Sequence, residues 1–227
     1  MKHTKSLFSY IGYLLAAVIS IGLIVASLLD LDGLSLTETL AFITGGITVW
    51  LTVKENVWSW PIGIANSAFF FVLFLQARLF ADMSLQILYM VLGFLGWYWW
   101  LFGGKHKTKL EVQHASPKTI VLLGVIGVAA TIGMTYYLHL IHDSAPFLDA
   151  LTTVLSLIAQ YLLTKKYIQN WYFWITADVI YIGLYASKGL YLTSVLYFIF
   201  LIMCIIGLKE WRASHRIAHT PDHAPYV

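Results

Sequence analysis

Apolar residues along this chain gather into long runs separated by short polar breaks. A helix needs roughly 17–25 mostly apolar residues to cross the hydrocarbon core of a bilayer. Eight runs meet that need, at 7–29, 36–53, 57–76, 80–102, 119–141, 147–163, 170–187 and 189–211. The pattern therefore predicts an all-α integral membrane protein with eight transmembrane helices. Composition agrees, with 59% hydrophobic and only 11% charged residues. Soluble domains carry roughly 25% charged residues, so a soluble helical bundle is disfavoured.

The breaks are short with one exception. "GGKHKTKLEVQHASPK" at 103–118 is polar, basic and interrupted by proline, and reads as a cytosolic linker. After Trp211 the tail 212–227 is polar and reads as disordered. At the start, Lys2 and Lys5 precede an apolar run from Leu7 to Leu29. That run is longer than a signal-peptide core and lacks a small-residue cleavage site, so a retained helix is expected.

Lys and Arg set the orientation. With the N-terminus inside, the inner segments hold Lys2, Lys5, Lys54, Lys105, Lys107, Lys109, Lys118, Lys165, Lys166, Lys209, Arg212 and Arg216. The outer loops hold Arg78 and Lys188, so twelve of the fourteen basic residues fall inside. Both termini are expected in the cytosol. The net charge of +3 is spread over short loops and gives no nucleic-acid signature.

Sliding the chain by 111 residues aligns it with itself. Asp32 falls on Asp143, Glu38 on Asp149, Lys54 on Lys165 and Trp60 on Trp171. Gly96 falls on Gly207 and Trp100 on Trp211. Shared leucines mean little in so apolar a chain, but coincidences of Asp, Lys, Gly and Trp point to a duplication. Each unit has four spans, so the two share one orientation, and transporters built on parallel repeats bind substrate near the midplane.

Candidate chemistry concentrates in the second half. On 170–187, Trp171, Trp174, Asp178, Tyr181 and Tyr185 share one helical stripe. A carboxylate in mid-span is costly and almost always faces a cavity or a partner. Asp178 is therefore the leading candidate, with a structural bond to a neighbouring helix as the alternative. Trp171, beside Lys165 and Lys166, could equally be an interfacial belt residue. Asp149, Thr153, Ser156 and Gln160 form a polar stripe on the sixth span. The matching first-half residues Glu38, Phe42, Gly45 and Val49 are less polar. First-half candidates are Trp60, Asn66 and Gln86, the last on a face with Asp82 and Tyr89; Tyr197 completes the set.

This lining suits a flat, cationic, hydroxyl-bearing solute. Aromatic faces attract cations, a carboxylate supplies the opposite charge, and amides and hydroxyls bond hydroxyl groups. Enzyme signatures are missing: no His pair on a span, no G-x-S-x-G and no P-loop. No catalytic residue, cofactor or metal site is expected. His215, His219 and His223 read as a solvated tail, and the single cysteine, Cys204, as a small core or lipid-facing residue.

"KENVWSWPIGIANSAFFFVLFLQARLFADMSLQILYMVLGFLGWYWW" and "LLTKKYIQNWYFWITADVIYIGLYASKGLYLTSVLYFIFLIMCIIGLKEW" resemble the PnuC family of bacterial vitamin transporters. The N-W-x-x-W segment at 170–174 is similar to the family's signature. The resemblance implies a SWEET-like parallel repeat of two three-helix bundles, here 36–102 and 147–211. A linker helix at 119–141 would join them, and 7–29 would be an extra N-terminal helix. It also implies facilitated diffusion of nicotinamide riboside across the bacterial inner membrane, feeding NAD biosynthesis, with a cytosolic kinase trapping the product. Relatives carry thiamine, riboflavin or deoxynucleosides, and a homo-oligomer is possible. Nicotinamide riboside and thiamine are both flat hydroxylated cations, so the residues do not separate them. A sensor or assembly factor without transport remains a reading of a different class.

Overall fold

A computed structural model describes residues 20–29, 35–76, 80–142, 145–187, 189 and 191–218, with backbone alone at 80–82 and 192–193. Helix α1 covers 20–28 of the first expected span; the rest of that span, the Asp82 side chain, Asp32, Asp143, Arg78, Lys188, His219 and His223 lie outside the described residues. The other helices are α2 (Leu36–Val53), α3 (Ser59–Gln76), α4 (Phe80–Phe102), α5 (Pro117–Leu140), α6 (Pro146–Thr164), α7 (Asn170–Ser187) and α8 (Tyr191–Ala218). Six of the described helices are long and apolar enough to cross a membrane. Helix α7 is not among them, because Asn170, Asp178 and three tyrosines lower its hydropathy. Its polar content marks where chemistry interrupts an otherwise apolar chain.

Helix starts follow local chemistry. Ser35 and Glu38 form a reciprocal capping box at α2, with Ser35 N–H donating to Glu38 Oε2 at 2.7 Å and Glu38 N–H to Ser35 Oγ at 3.2 Å. At α5, Ser116 Oγ accepts from Thr119 N–H, and Pro117 occupies the first turn where its missing N–H costs nothing. Pro146 opens α6 in the same way.

The chain forms two compact units. The first comprises residues 1–47 and 62–90, and the second comprises 48–61 and 91–227. Within the second, α5 and α7 pack on α6, and α7 packs on α8. The linker-side ends of α2, α3 and α4 belong to this unit.

The linker is more ordered than its polar composition suggests. Residues 109–116 lie as a strap along the α6–α7 turn, with a parallel bridge between Gln113 and Tyr167. Gln113 N–H donates to Lys166 O at 3.2 Å, and Ile168 N–H to Gln113 O at 3.0 Å. Ala115 N–H donates to Gln169 Oε1, and Lys166 Nζ to Leu110 O. Val112 and Ala115 are the buried apolar residues of the strap. Residues 212–218, expected to be disordered, instead extend α8. No glycine or proline interrupts them, and tertiary contacts hold them: Arg212 donates to the Tyr172 hydroxyl, and His215 Nδ1 lies 2.8 Å from Val112 O. A carbonyl can only accept, so His215 Nδ1 carries the proton.

The His114 ring stands edge-on to that of His215, with centroids 4.8 Å apart. Partial burial, then the nearby His215 and Arg212, hold the His114 pKa below the ordinary histidine value. The docked strap thus prefers neutral His114, whereas a released strap takes up a proton near pH ~6.5. Docking should weaken as pH falls below that value, with the full penalty present below the depressed pKa. Hydrogen exchange at Gln113 and Ile168, corrected for intrinsic rate, is expected to accelerate between about pH 7.5 and 5.5. His114→Gln should flatten the change; identical protection at both pH values in the native protein would refute the coupling.

Candidate functional site

The stripe drawn on α7 divides into two levels. At the linker side, Trp171 and Trp174 join a cluster with Trp60, Trp100 and Trp211. Trp60 and Trp100 meet edge to face at 5.4 Å and 85°, and Trp171 and Trp211 at 5.3 Å and 87°. Trp100 and Trp211 join the two pairs at 5.7 Å. Edge-to-face geometry sets the positive ring edge against the negative face and adds to the gain from burial.

Each local contact recurs 111 residues on. Trp100 Nε1–H donates to Leu163 O at 3.1 Å, and Trp211 Nε1–H to Thr52 O at 3.1 Å. Gly96 lies under the Trp60 ring and Gly207 under the Trp171 ring, where a Cβ at 207 would sit 2.5 Å from ring carbons. Glu55 and Lys166 both adopt left-handed backbone, at φ 53° and 55°, and pair with each other at 2.8 Å. Lys54 pairs with Glu210 at 2.5 Å; the matching Lys165 lies 3.2 Å from the centroid of the Trp99 ring. These matches at the linker-side ends are those expected of a local pseudo-two-fold axis between Glu55 and Lys166.

Two turns deeper, Asp178 is buried with 5% of its surface exposed. Cys204 Sγ donates to Asp178 Oδ2 at 3.4 Å. Next to it stand three tyrosines. Tyr181 and Tyr197 lie 4.6 Å apart, Tyr185 stacks on Tyr197 at 5.3 Å, and Phe200 abuts Tyr197 edge-on. The Tyr181 hydroxyl lies within reach of Thr152 and Ser156 on α6. Asp178, Tyr181, Tyr197 and Ser156 are thus brought together. Thr152, Phe200 and Cys204 were not among the expected site residues. No lysine or arginine occurs between 146 and 164, between 170 and 187, or between 191 and 208.

The remaining candidates are placed differently. Gln160 is half-buried on α6. Asn66 and Gln86 belong to the first unit. There Asn66 Nδ2 donates to Ala41 O at 2.5 Å and to Thr44 Oγ1 at 3.0 Å, a contact that ties α3 to α2. Gln86 is buried on α4.

Apolar helices of spanning length, with a buried carboxylate and a tyrosine group held inside them, mark a multi-pass membrane protein. Comparison with known proteins narrows the class. The model of the nicotinamide mononucleotide transporter family matches residues 35–213, and the chain belongs to that family. It is similar to the nicotinamide riboside transporter PnuC of Escherichia coli K12, with 26% identity over 210 residues covering 81% of this chain and 87% of the relative. It also resembles the riboflavin/roseoflavin transporter RibM of Streptomyces davaonensis, with 24% identity over 175 residues covering 74% and 81%. A crystal structure of the vitamin B3 transporter PnuC shares the fold at a TM-score of 0.71, with 22% identity over 95% of this chain and 94% of that one.

Proposed function

We propose that this protein carries nicotinamide riboside across the bacterial inner membrane by facilitated diffusion, with both termini in the cytosol. The carrying observation is Asp178, buried beside Tyr181, Tyr185 and Tyr197 in stretches of helix free of lysine and arginine. A pyridinium nucleoside offers what this group can bind: a delocalised cation for the carboxylate and ring faces, and ribose hydroxyls for Ser156 and Thr152. The relatives named for the riboside support the same solute. Trp60, Trp171, Trp174 and Gln160 would border the path, and a cytosolic kinase would hold the product inside. Thiamine, also cationic and flat, is the second reading the same chemistry favours.

The site argues for the nucleoside over its 5′-phosphate, although the family description names the mononucleotide. A dianionic phosphate would meet Asp178 and no cation at that depth. By calorimetry the riboside should bind at least ~100-fold more tightly than the 5′-phosphate, the scale of an uncompensated buried charge. Equal affinities would place the site elsewhere.

Transport is expected to be uncoupled. Among the described side chains, Glu38 and Asp149 sit in first turns and Glu210 pairs with Lys54 at the linker side, so none adds a second mid-span carboxylate beside Asp178. Vesicles with equal riboside on both sides and an imposed sodium or proton gradient should show no net accumulation. Accumulation would overturn this expectation.

A further inference from the structure

We propose that the tryptophan quartet Trp60–Trp100–Trp211–Trp171, with the cross-axis contacts of Lys54, Glu55, Lys165 and Lys166, is the cytosolic gate of the transport path. This assignment rests on the transport reading above and adds to it the residues that open and close one side. Three observations carry it.

First, the contacts that cross the pseudo-two-fold axis join the two repeats and not helices within one repeat. They are Trp100 to Leu163 O, Trp211 to Thr52 O, the Trp100–Trp211 ring contact, Lys54 to Glu210, Lys165 over Trp99, and Lys166 to Glu55 and over Trp100. Each of the two edge-to-face pairs, and each glycine–tryptophan contact, stays inside its own repeat. The linker-side ends can therefore part along the axis while each keeps its internal packing. Packed elements of this kind switch between discrete arrangements and do not deform continuously.

Second, the closed arrangement leaves donors unmet. The Nε1–H groups of Trp60 and Trp171, equivalent under the repeat, are both buried without a hydrogen-bond partner among the described residues. Buried donors without partners are rare and call for an explanation. Opening would hydrate both, so the closed state carries a built-in pull toward the open one. The ionic links are also of the kind water can replace. Lys54 and Glu210 are part-exposed, and a desolvated pair such as Lys166–Glu55 gives little net stability.

Third, the quartet lies on the same helices as the proposed site. Trp171 precedes Asp178 by seven residues on α7, and Trp211 follows Cys204 by seven on α8, about 10 Å along each helix. A solute leaving Asp178 toward the linker side meets the quartet. There the Trp100–Trp211 ring contact, 5.7 Å between centroids, joins the two ends and must part for passage.

The test uses the full-length protein with Glu55→Cys and Lys166→Cys, bridged by a reducible bis-thiosulfonate reagent and reconstituted in vesicles. Unmodified protein treated with the reagent controls for Cys204, which is buried. The gate predicts that bridging lowers riboside uptake at least ~10-fold, changes the equilibrium Kd less than about 2-fold, and is reversed by reductant. Uptake that survives bridging would overturn the proposal, as would parallel loss of binding. A second pair of variants needs no cysteines. Glu210→Lys alone should speed hydrogen exchange at residues 50–56, and adding Lys54→Glu should restore protection; failure of the double change to rescue would also count against the gate. Failure of the transport reading is recognised separately, because unmodified protein would then move no riboside before any bridge is made.

Discussion

Trp211→Ala is expected to destabilise the protein by ~3–5 kcal/mol, the range for emptying a buried tryptophan site. Trp211 has none of its surface exposed. It is the ring through which the two repeat-related pairs meet, touching Trp100 and Trp171, and its indole N–H holds Thr52 O. Alanine removes the ring from both partners and the donor from the carbonyl. Trp211→Phe keeps an aromatic face and should cost less, with about 1 kcal/mol of its loss coming from the missing hydrogen bond. Thermal unfolding in detergent separates the series native, Phe, Ala. An alanine variant as stable as the native protein would show that the cluster contributes little to the second unit.

Asp178→Asn should weaken binding of a cationic riboside by ~1–3 kcal/mol, or roughly 5- to 150-fold in Kd. Asparagine keeps the shape and can still accept a hydrogen bond from Cys204, so the change removes charge and little else. A neutral nucleoside should lose less. The ratio of the two losses isolates the electrostatic part from packing. Should Asp178 serve to join α7 to α8 through Cys204, unfolding temperature would fall while the affinity of the folded protein stayed intact. That pattern would remove the carboxylate from the proposed site.

Most of the helix boundaries were legible in the sequence because lipid imposes a strong rule: spans must be apolar and long. The same rule hid contacts. Trp100 and Trp211 lie at span ends, where tryptophan ordinarily marks the membrane interface. Only their match under the 111-residue offset hinted that they pair. Cys204 read as a small apolar residue, because nothing in one helix reveals that it reaches Asp178 on another. Thr152 faces Tyr181, one residue away from Thr153 and off the helical stripe that runs through Asp149 and Ser156. Asn66 was a candidate because it is polar in mid-span, yet its amide is satisfied by Ala41 O and Thr44. The helical extension 212–218 depends on Tyr172 and Val112, which are remote in sequence.

The paired chemistry also differs between the two positions related by the 111-residue offset. Lys54 has an acidic partner, Glu210, while Lys165 rests on Trp99. Burial lowers the Lys165 pKa from the ordinary lysine range, and the ring face compensates part of the lost hydration. One position carries an ion pair and the other a cation on a ring. The two halves thus share contacts at the linker side, while the deeper carboxylate belongs to the second half. One offset back from Asp178 stands Ser67, which carries no charge.

The central claim is tested most directly by uptake of radiolabelled nicotinamide riboside into proteoliposomes containing the purified protein, with labelled thiamine and the riboside 5′-phosphate in parallel. Saturable entry of the riboside to equal concentrations inside and out, with no entry of the 5′-phosphate, is the predicted result. No riboside flux above protein-free vesicles, or equal flux of the phosphorylated solute, would contradict it.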